Sequence, residues 1–529
     1  MIIPKPSKEQ LYNSKFILTA RSNLFCSPEL QEVGQLFQEY AEISLGERLP
    51  MVNSIEEAQV CFCYVDYLEG EKYVLNIGES VLTVDATTCA GAFYAVMSLR
   101  QLLDMDTTKG AELSCATMSI SDEPQYQYRG LLLDIARHFF GKEDICRIID
   151  LISAMKLNIL HLHLTDDQGF RIQIDKYPKI NEISSYRNGT LTRENGNSEL
   201  VKERYGGYLT KDEIREIVSY AKSRYVTIIP EIDLPGHMSA VISAYPELSC
   251  TGKQIDVRER WGISKDILCA GNPDIYPFVK DILDEVCELF PSAYIHLGGD
   301  EAPKDRWHNC KKCQELKHSL KLRTEDELQS YVVNYFKQYL ESKGKRVICW
   351  NDGVNDMLDK DIVSQAWSPY ISKEETSRYI NHGRKTIMSR FMNVYLDYPY
   401  SMTPLKKVYK YNLRYRGIKR RAQNNVLGGE CCLWTEWVCN RNKIDFNLFP
   451  RICAFAETVW SKKFNYNDFK VRLKNYYKVY DAQGVNYNRK AMKSQNTFSR
   501  MSGVNKFLFN DASLEVKTQE KSFEPMSKQ

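Results

Sequence analysis

The chain lacks an excess of charge of either sign. Its 71 lysines and arginines face 68 aspartates and glutamates in 529 residues, a formal net charge of +3. That is too balanced for the electrostatic footprint that a phosphate backbone or an anionic membrane selects, and no nucleic-acid partner is expected. It also lacks any run of about 18 apolar residues, so no membrane span is expected. The N-terminus, MIIPKPSKEQ, lacks the charged-then-apolar layout of a secretory leader. Localisation stays open: periplasmic or secreted if a leader was removed before this numbering begins, cytoplasmic otherwise. No internal repeat is present, which excludes repeat architectures.

A cysteine framework is lacking too, although cysteines are not. The 16 cysteines are scattered through apolar segments such as CFCYV, DEVCELF and RICAFAE, where a thiol behaves as a small core hydrophobe, and most are read as free thiols. Cys310 and Cys313 have the C-x-x-C spacing of half a zinc site. No second pair follows at the distance a structural knuckle needs, so no metal is assigned. His161 and His163 alternate in HLHL, and residues two apart on a strand share one face, here read as lining a packed barrel rather than holding an ion. Nothing implies a cofactor, and nothing sets the oligomeric state.

What is present is length and pattern. With 43% hydrophobic residues, the chain can build one large domain and a smaller one, since a barrel-type domain uses about 250 residues or more. From about Val60 to Leu103, β-rich runs (VCFCYV, KYVLNI, SVLTVDA) lead into GAFYAVMSLRQLL, whose apolar residues recur at helical spacing. These predict a small α/β domain over 1–123, closing near Asp122-Glu123-Pro124.

Beyond it, apolar strand-like runs end abruptly in acidic, aromatic or glycine residues: YRGLLLDIARH, LNILHLHLTDDQG, YVTIIPEIDLPGH, AYIHLGGDE, RVICWNDG, IVSQAW, NVYLDYP and CCLWTEW. Amphipathic stretches lie between several of them, including GKEDICRIIDLISAMK, TKDEIREIVSYAKSR, IYPFVKDILDEVCELF and EDELQSYVVNYFKQYLESKG. Eight such strand ends predict an α/β fold, a (β/α)8 TIM barrel over 124–485 preceded by the smaller α/β domain. Barrel enzymes carry their chemistry at the C-terminal strand ends, where these polar and aromatic residues collect. Helix capping explains any one of them, such as Asp352 before a helix, but not six together. Residues 486–529 are polar, with only KFLFN and SLEVK hinting at strand, and are assigned to a C-terminal tail.

His296-Leu297-Gly298-Gly299-Asp300-Glu301 is the most informative segment. The glycines let the backbone bend at a strand mouth. Neighbouring side chains on an extended strand point to opposite sides, which gives Asp300 and Glu301 distinct stations. A close negative neighbour and partial burial disfavour ionisation, so one of the two, Glu301, is expected to be a competent acid near neutral pH.

These segments carry a resemblance. The chain resembles glycoside hydrolase family 20, the β-hexosaminidases, in RGLLLDIARHFF, HLHLTDDQGFRI, PEIDLPGH, IHLGGDEAPKDRW, ICWND, QAW, VYLD and LWTE, across roughly residues 90 to 485. HLGGDE and EIDLPGH at this separation are the specific part. The resemblance implies the same barrel preceded by a small α/β domain. It also implies an exo-β-N-acetylhexosaminidase that releases terminal β-linked GlcNAc or GalNAc from an oligosaccharide or glycoconjugate. The mechanism it implies is retaining and substrate-assisted, the sugar's 2-acetamido oxygen attacking the anomeric carbon.

Carried onto this chain, Glu301 protonates the glycosidic oxygen and later activates water, while Asp300 holds the acetamido N–H and stabilises the oxazolinium. Tyr395 orients the acetamido carbonyl, and Trp350, Trp367 and Trp434 wall the pocket. Arg137 and Glu436 clamp the ring hydroxyls, with Asp397 at O6. Asp233 and His237 resemble a supporting pair in which the carboxylate fixes the imidazole tautomer. Asp166 organises the arginine network.

The family's longer segment between VYLD and LWTE is replaced here by YPYSMTPLKKVYKYNLRYRGIKRRAQNN, which has no tryptophan to floor a subsite beyond the cleavage point. Its basic cluster Lys419-Arg420-Arg421 reads as a solvated face. The alternative from another class is a catalytically silent barrel that binds glycans. The retained Asp300, Glu301 and Tyr395 weigh against it, because a binder needs no proton donor.

Overall fold

In the computed structural model, which describes residues 2–194, 197–462, 464–493 and 497–507, the β-rich runs of the first 122 residues pair into one six-stranded sheet. Its order is Lys8–Thr19, Glu112–Asp122, Tyr73–Ile77, Leu82–Ala86, Val60–Tyr64, Leu24–Cys26. The two long outer-paired strands at one side, Lys8–Thr19 and Glu112–Asp122, run antiparallel and were not marked by the sequence patterns. Burial alternates along the sheet, as in Tyr73–Ile77 and Leu82–Ala86, the period that one covered face imposes.

Helix Cys89–Leu102, capped by the Thr88 hydroxyl accepting from the Gly91 N–H, is buried on every side from Gly91 to Leu99. A helix buried all round lies between two layers. Here the second layer is the barrel, whose Tyr225 and Trp460 rings meet Phe93 and Tyr94 at 4.9 and 5.1 Å between centroids.

The chain then closes eight parallel strands in sequential order: β1 Tyr128–Asp134, β2 Ile159–His163, β3 Thr227–Glu231, β4 Tyr294–His296, β5 Arg346–Trp350, β6 Val363–Ala366, β7 Thr386–Met388 and β8 Val426–Leu433. The amphipathic stretches form helices Lys142–Ser153, Ile275–Leu289 and Glu325–Ser342, and Lys211–Ser223 begins with a reciprocal capping box between Thr210 and Glu213. The fold is the (β/α)8 barrel with a smaller domain before it.

One strand differs from the pattern. NVYLDYP is not β7: Phe391–Val394 is a short helix, and Tyr395 makes only an isolated bridge to Cys432. The true strand is the three-residue Thr386–Met388, too short for an alternation to announce it. Within the last forty or so residues, Thr497–Phe507 is helical, so KFLFN begins as a helix end rather than a strand. The remainder of KFLFN and all of SLEVK lie outside the described residues. No helix among the described residues is long and apolar enough to cross a membrane.

Inside the barrel the period-2 rule sorts side chains into layers. Tyr128, Ile229, Ile348, Val363 and Ile387 form an apolar layer. Above it lies a layer of fully buried polar groups. Glu231 accepts from Trp350 Nε1 (2.7 Å) and His163 Nδ1 (2.5 Å) and pairs with His296 and His161 at 2.9 and 3.2 Å. Glu430 accepts from Tyr128 (2.5 Å), His161 Nδ1 (3.0 Å) and Gln365 (2.6 Å). Both histidines of HLHL thus face carboxylates. Burial opposes their charge, but the flanking carboxylates more than offset it, and they are pushed up to about 9 at His161 and about 10 at His163.

The two domains meet through buried charge. Asp122, at the end of the small sheet, receives Lys156 Nζ at 3.0 Å and the Tyr73 hydroxyl at 2.8 Å, and Trp460 Nε1 donates to both its oxygens. Lys156 and Asp122 are completely buried, so removing either leaves the other charge uncompensated. Asp122→Ala is expected to lower stability by about 3–5 kcal/mol. Thermal unfolding of the purified variant reads this, and an unchanged Tm would show that the junction contributes nothing.

Candidate active site

The carboxyl ends of β1 to β8 converge on one mouth. After His296 the backbone leaves β4 in a left-handed turn: Gly298, Gly299 and Glu301 have φ of 60°, 92° and 45°. Gly298 is needed for a second reason, since a Cβ there would sit 1.8 Å from Asp233 Oδ1. Asp233 Oδ1 accepts the Gly299 N–H (2.9 Å), and Gln329 donates to the Gly299 carbonyl (2.7 Å). The turn is therefore braced from both sides.

This overturns the extended-strand geometry expected for Asp300 and Glu301. The turn swings both carboxylates toward one ring nitrogen, His237 Nε2, at 3.9 and 3.8 Å. They still differ in station, through burial: the Asp300 side chain is 12% exposed and that of Glu301 37%. Both are pushed up, not one. Burial and then the charge of Asp233 hold Asp300 well above the carboxylate range, with Asp300 Oδ1 buried and unpaired within the described residues. For Glu301, burial raises, His237 opposes, and Asp352 raises further.

The partner of His237 is also not the expected one. Its Nδ1 faces Asp166 Oδ1 at 3.2 Å and Asp167 Oδ2 at 3.6 Å, whereas Asp233 gives Oδ1 to the Gly299 turn and stands within 4.8 Å of the imidazole without a hydrogen bond to it. Four residues apart in EIDLPGH, Asp233 and His237 are separated in role because the chain turns between them, with His237 itself at φ 51°. Burial works against a charged imidazole here. Asp166 and Asp167 outweigh it and hold His237 well above its ordinary range.

Asp166 is a junction. Its Oδ2 accepts from His163 Nε2 (2.8 Å) and pairs with Arg137 at 2.8 Å. Arg137 in turn reaches Asp134 (3.3 Å) and lies 4.9 Å over the Trp434 ring. Asp134 also accepts from the backbone N–H groups of Ala136, Arg137 and Thr435, which locks the ends of β1 and β8 together. Glu436 and Asp397 join Arg137 at this side. Burial raises both carboxyls, Arg137 opposes at Glu436, and each feels a neighbouring acid. Asp397 Oδ1 is buried without a partner among the described residues.

The aromatic residues meet in one cluster. Trp350, Tyr395 and Trp434 are buried, and Trp367 lies against them. Tyr395 stacks on Trp367 (6.1 Å between centroids, 12° between planes), and Trp350 packs at 5.8 Å from Trp434. Trp350, with its N–H given to Glu231, is the base of this box.

The structure thus brings together all twelve residues singled out in the sequence, and adds some that were not. Asp352, cited there as an ordinary helix cap, accepts from Trp367 Nε1 (2.9 Å) with one oxygen and from the Glu301 N–H (3.1 Å) with the other. It sets an aromatic wall and the Glu301 backbone at once. Its only signal was its place in ICWND, directly after Trp350. Asp134 and Glu231 likewise act behind the residues that face the cleft. Lys419, Arg420 and Arg421 are exposed.

Comparison with known proteins agrees with this fold. The model for "Glycosyl hydrolase family 20, catalytic domain" matches residues 126–463, and that for "Glycosyl hydrolase family 20, domain 2" matches 1–123. A β-hexosaminidase of Porphyromonas gingivalis is 32% identical over 509 residues, 92% of this chain and 64% of the relative, so the chain spans just under two thirds of that protein. A crystal structure of a family 20 exo β-N-acetylglucosaminidase from Vibrio harveyi with N-acetylglucosamine superposes with TM-score 0.82 at 28% identity, covering 92% and 78% of the two chains. A β-N-acetylhexosaminidase of Bacteroides fragilis gives 0.81 at 27%, covering 94% and 99%.

His237 provides a test of the charge network. In protein with 15N-labelled histidine, its imidazole is expected to remain protonated through neutral pH, and Asp166→Asn to move its titration down. A neutral ring at pH 7 in the unmodified protein would overturn the assignment.

Proposed function

Because the chain belongs to glycosyl hydrolase family 20, we propose that it is an exo-acting β-N-acetylhexosaminidase, releasing terminal β-linked N-acetylglucosamine or N-acetylgalactosamine with retention through the substrate's own acetamido group. The observation that carries the reading is the unequal pair on His237: a cleft-facing Glu301 with a raised pKa beside a buried Asp300 with an unpaired oxygen.

A general acid must hold its proton at working pH and reach the leaving oxygen; burial raises the Glu301 carboxyl toward the first need, and its partly exposed place at the mouth suits it to the second. Asp300 is suited to a different task. Its unpaired oxygen can accept the acetamido N–H. The positive charge that grows on the oxazolinium favours ionised Asp300 in the transition state more than in the free site, which is how such a group lowers a barrier. Tyr395, stacked on Trp367, would hold the acetamido carbonyl, and the faces of Trp350 and Trp434 suit a methyl group and a pyranose. Arg137 is buried, Glu436 and Asp397 are half-buried, and all three are strong hydrogen-bonding groups, so a hydroxyl pattern that leaves them unpaired is rejected strongly. Asp166 and His237 act as positioning residues behind the acid.

A chromogenic β-N-acetylglucosaminide is expected to be hydrolysed far faster than the plain β-glucoside, and comparable turnover would sink the substrate-assisted scheme. Asp300→Ala and Glu301→Gln should each lower kcat at least about a hundredfold on substrates with poor leaving groups, with the fold retained. Near-normal rates would remove that residue from its role.

The pH profile offers a second check. The alkaline limb of kcat/KM follows loss of the Glu301 proton in the free enzyme. The negative charge of Asp352 raises Glu301. Asp352→Asn removes that charge, eases ionisation of Glu301, and is expected to move the alkaline limb to lower pH. A limb that stays fixed or moves up would contradict this.

A further inference from the structure

Four cysteines that play no part in the site lie together beside it. Cys250, Cys269, Cys310 and Cys313 bring their sulfurs within 4.8 Å of one another. The individual separations are 3.6 Å for Cys269 to Cys313, 3.7 Å for Cys269 to Cys310 and 3.8 Å for Cys250 to Cys313. A disulfide needs about 2.05 Å, so none of these contacts is one. A tetrahedron with metal–sulfur bonds of about 2.3 Å has sulfur–sulfur edges of about 3.75 Å, the spacing seen here. Clusters of iron and sulfide hold their ligating cysteines farther apart than a single ion does.

The surrounding backbone is built for such a centre. Cys310 is the N-cap of helix Lys311–Ser319, and Cys313 lies in its first turn, where unpaired N–H groups favour thiolate. The Gly271 N–H points at Cys313 Sγ (3.4 Å). A side chain at Gly271 would collide with the Lys312 carbonyl carbon at 2.2 Å, so only glycine permits this approach. An antiparallel bridge between Ser249 and Leu268 draws together the two segments that carry the other two cysteines. The sequence rule missed them because it looks for a second close-spaced pair, whereas here the other half of the set comes from the two ends of one long loop.

We propose that these four thiols bind one zinc-class divalent cation, as a structural centre that staples the loop after β3 to the loop after β4. Binding exchanges the thiol protons for the metal, leaving a closed four-sulfur site with no open position for chemistry. The staple joins the loop that begins with Asp233 and His237 to the loop that begins with Asp300 and Glu301. Cys250 and Cys310 also border an open cleft of about 1220 Å³ between these loops, lined by Arg258, Trp261, Asp266 and Arg306. Metal loss is therefore expected to loosen one wall of the cleft.

The test is metal content rather than activity. Full-length protein made with added zinc and desalted should carry about one zinc per chain by elemental mass spectrometry, and the Cys310→Ser, Cys313→Ser double variant should carry less than about a tenth of that. Reduced metal-free protein given cobalt(II) should develop the absorption of a tetrahedral thiolate complex. Cys250→Ser, which changes one ligand, should lower metal retention and Tm, and serves if the double variant does not fold. Zinc content unchanged in these variants would overturn the proposal. So would reduced wild-type protein that takes up neither metal, or mapping that finds these cysteines joined as disulfides.

Discussion

A barrel of parallel strands must fill its own interior, and this one fills its middle with charge. Glu231 is completely buried and surrounded by His161, His163, His296 and the Trp350 indole. An isolated carboxylate in such a place costs many kcal/mol, and the cost is met only when every lone pair has a donor. Burial works against its ionisation, and the three imidazoles more than offset this, holding it well below the carboxylate range. The five groups come from β2, β3, β4 and β5, so satisfying one carboxylate fixes the relative height of half the barrel.

That constraint propagates upward. His163 uses one nitrogen for Glu231 and the other for Asp166. Asp166 uses one oxygen for His163 and Arg137 and the other for His237. His237 faces Asp300 and Glu301. Glu301 is thus connected to the barrel centre by alternating acids and bases, each fixed by the one beneath. In a hydrogen-bonded network of this kind the ring orientation of His237 is a consequence of core packing, not of the loop that carries it.

The family motifs, the strand ends and most helices were legible because burial imposes a period on sequence: Lys142–Ser153 and Glu325–Ser342 follow their apolar spacing closely. Two of the failures share one cause, the use of nearness in sequence as a proxy for nearness in space. Asp233 and His237 stand in one motif and do come within 4.8 Å of each other, but the chain reverses between them and Asp166 takes the imidazole hydrogen bond. Asp352 looked like a cap because caps are common after strands. Its two acceptors on Trp367 and Glu301 depend on a neighbouring strand and a turn that no local pattern records. β7 was misplaced because three residues cannot display a period.

The mouth of the barrel inverts the logic of its centre. Around His237 and Arg137 stand Asp166, Asp167, Asp233, Asp300, Glu301, Asp352 and Glu436, more acids than bases, and burial raises the carboxyls of Asp233, Asp300 and Glu301 together. Burial and mutual repulsion work against ionising these neighbouring acids together. Below, the charges are matched and the structure is fixed; above, acids outnumber bases, and burial raises the carboxyls of Asp233, Asp300 and Glu301.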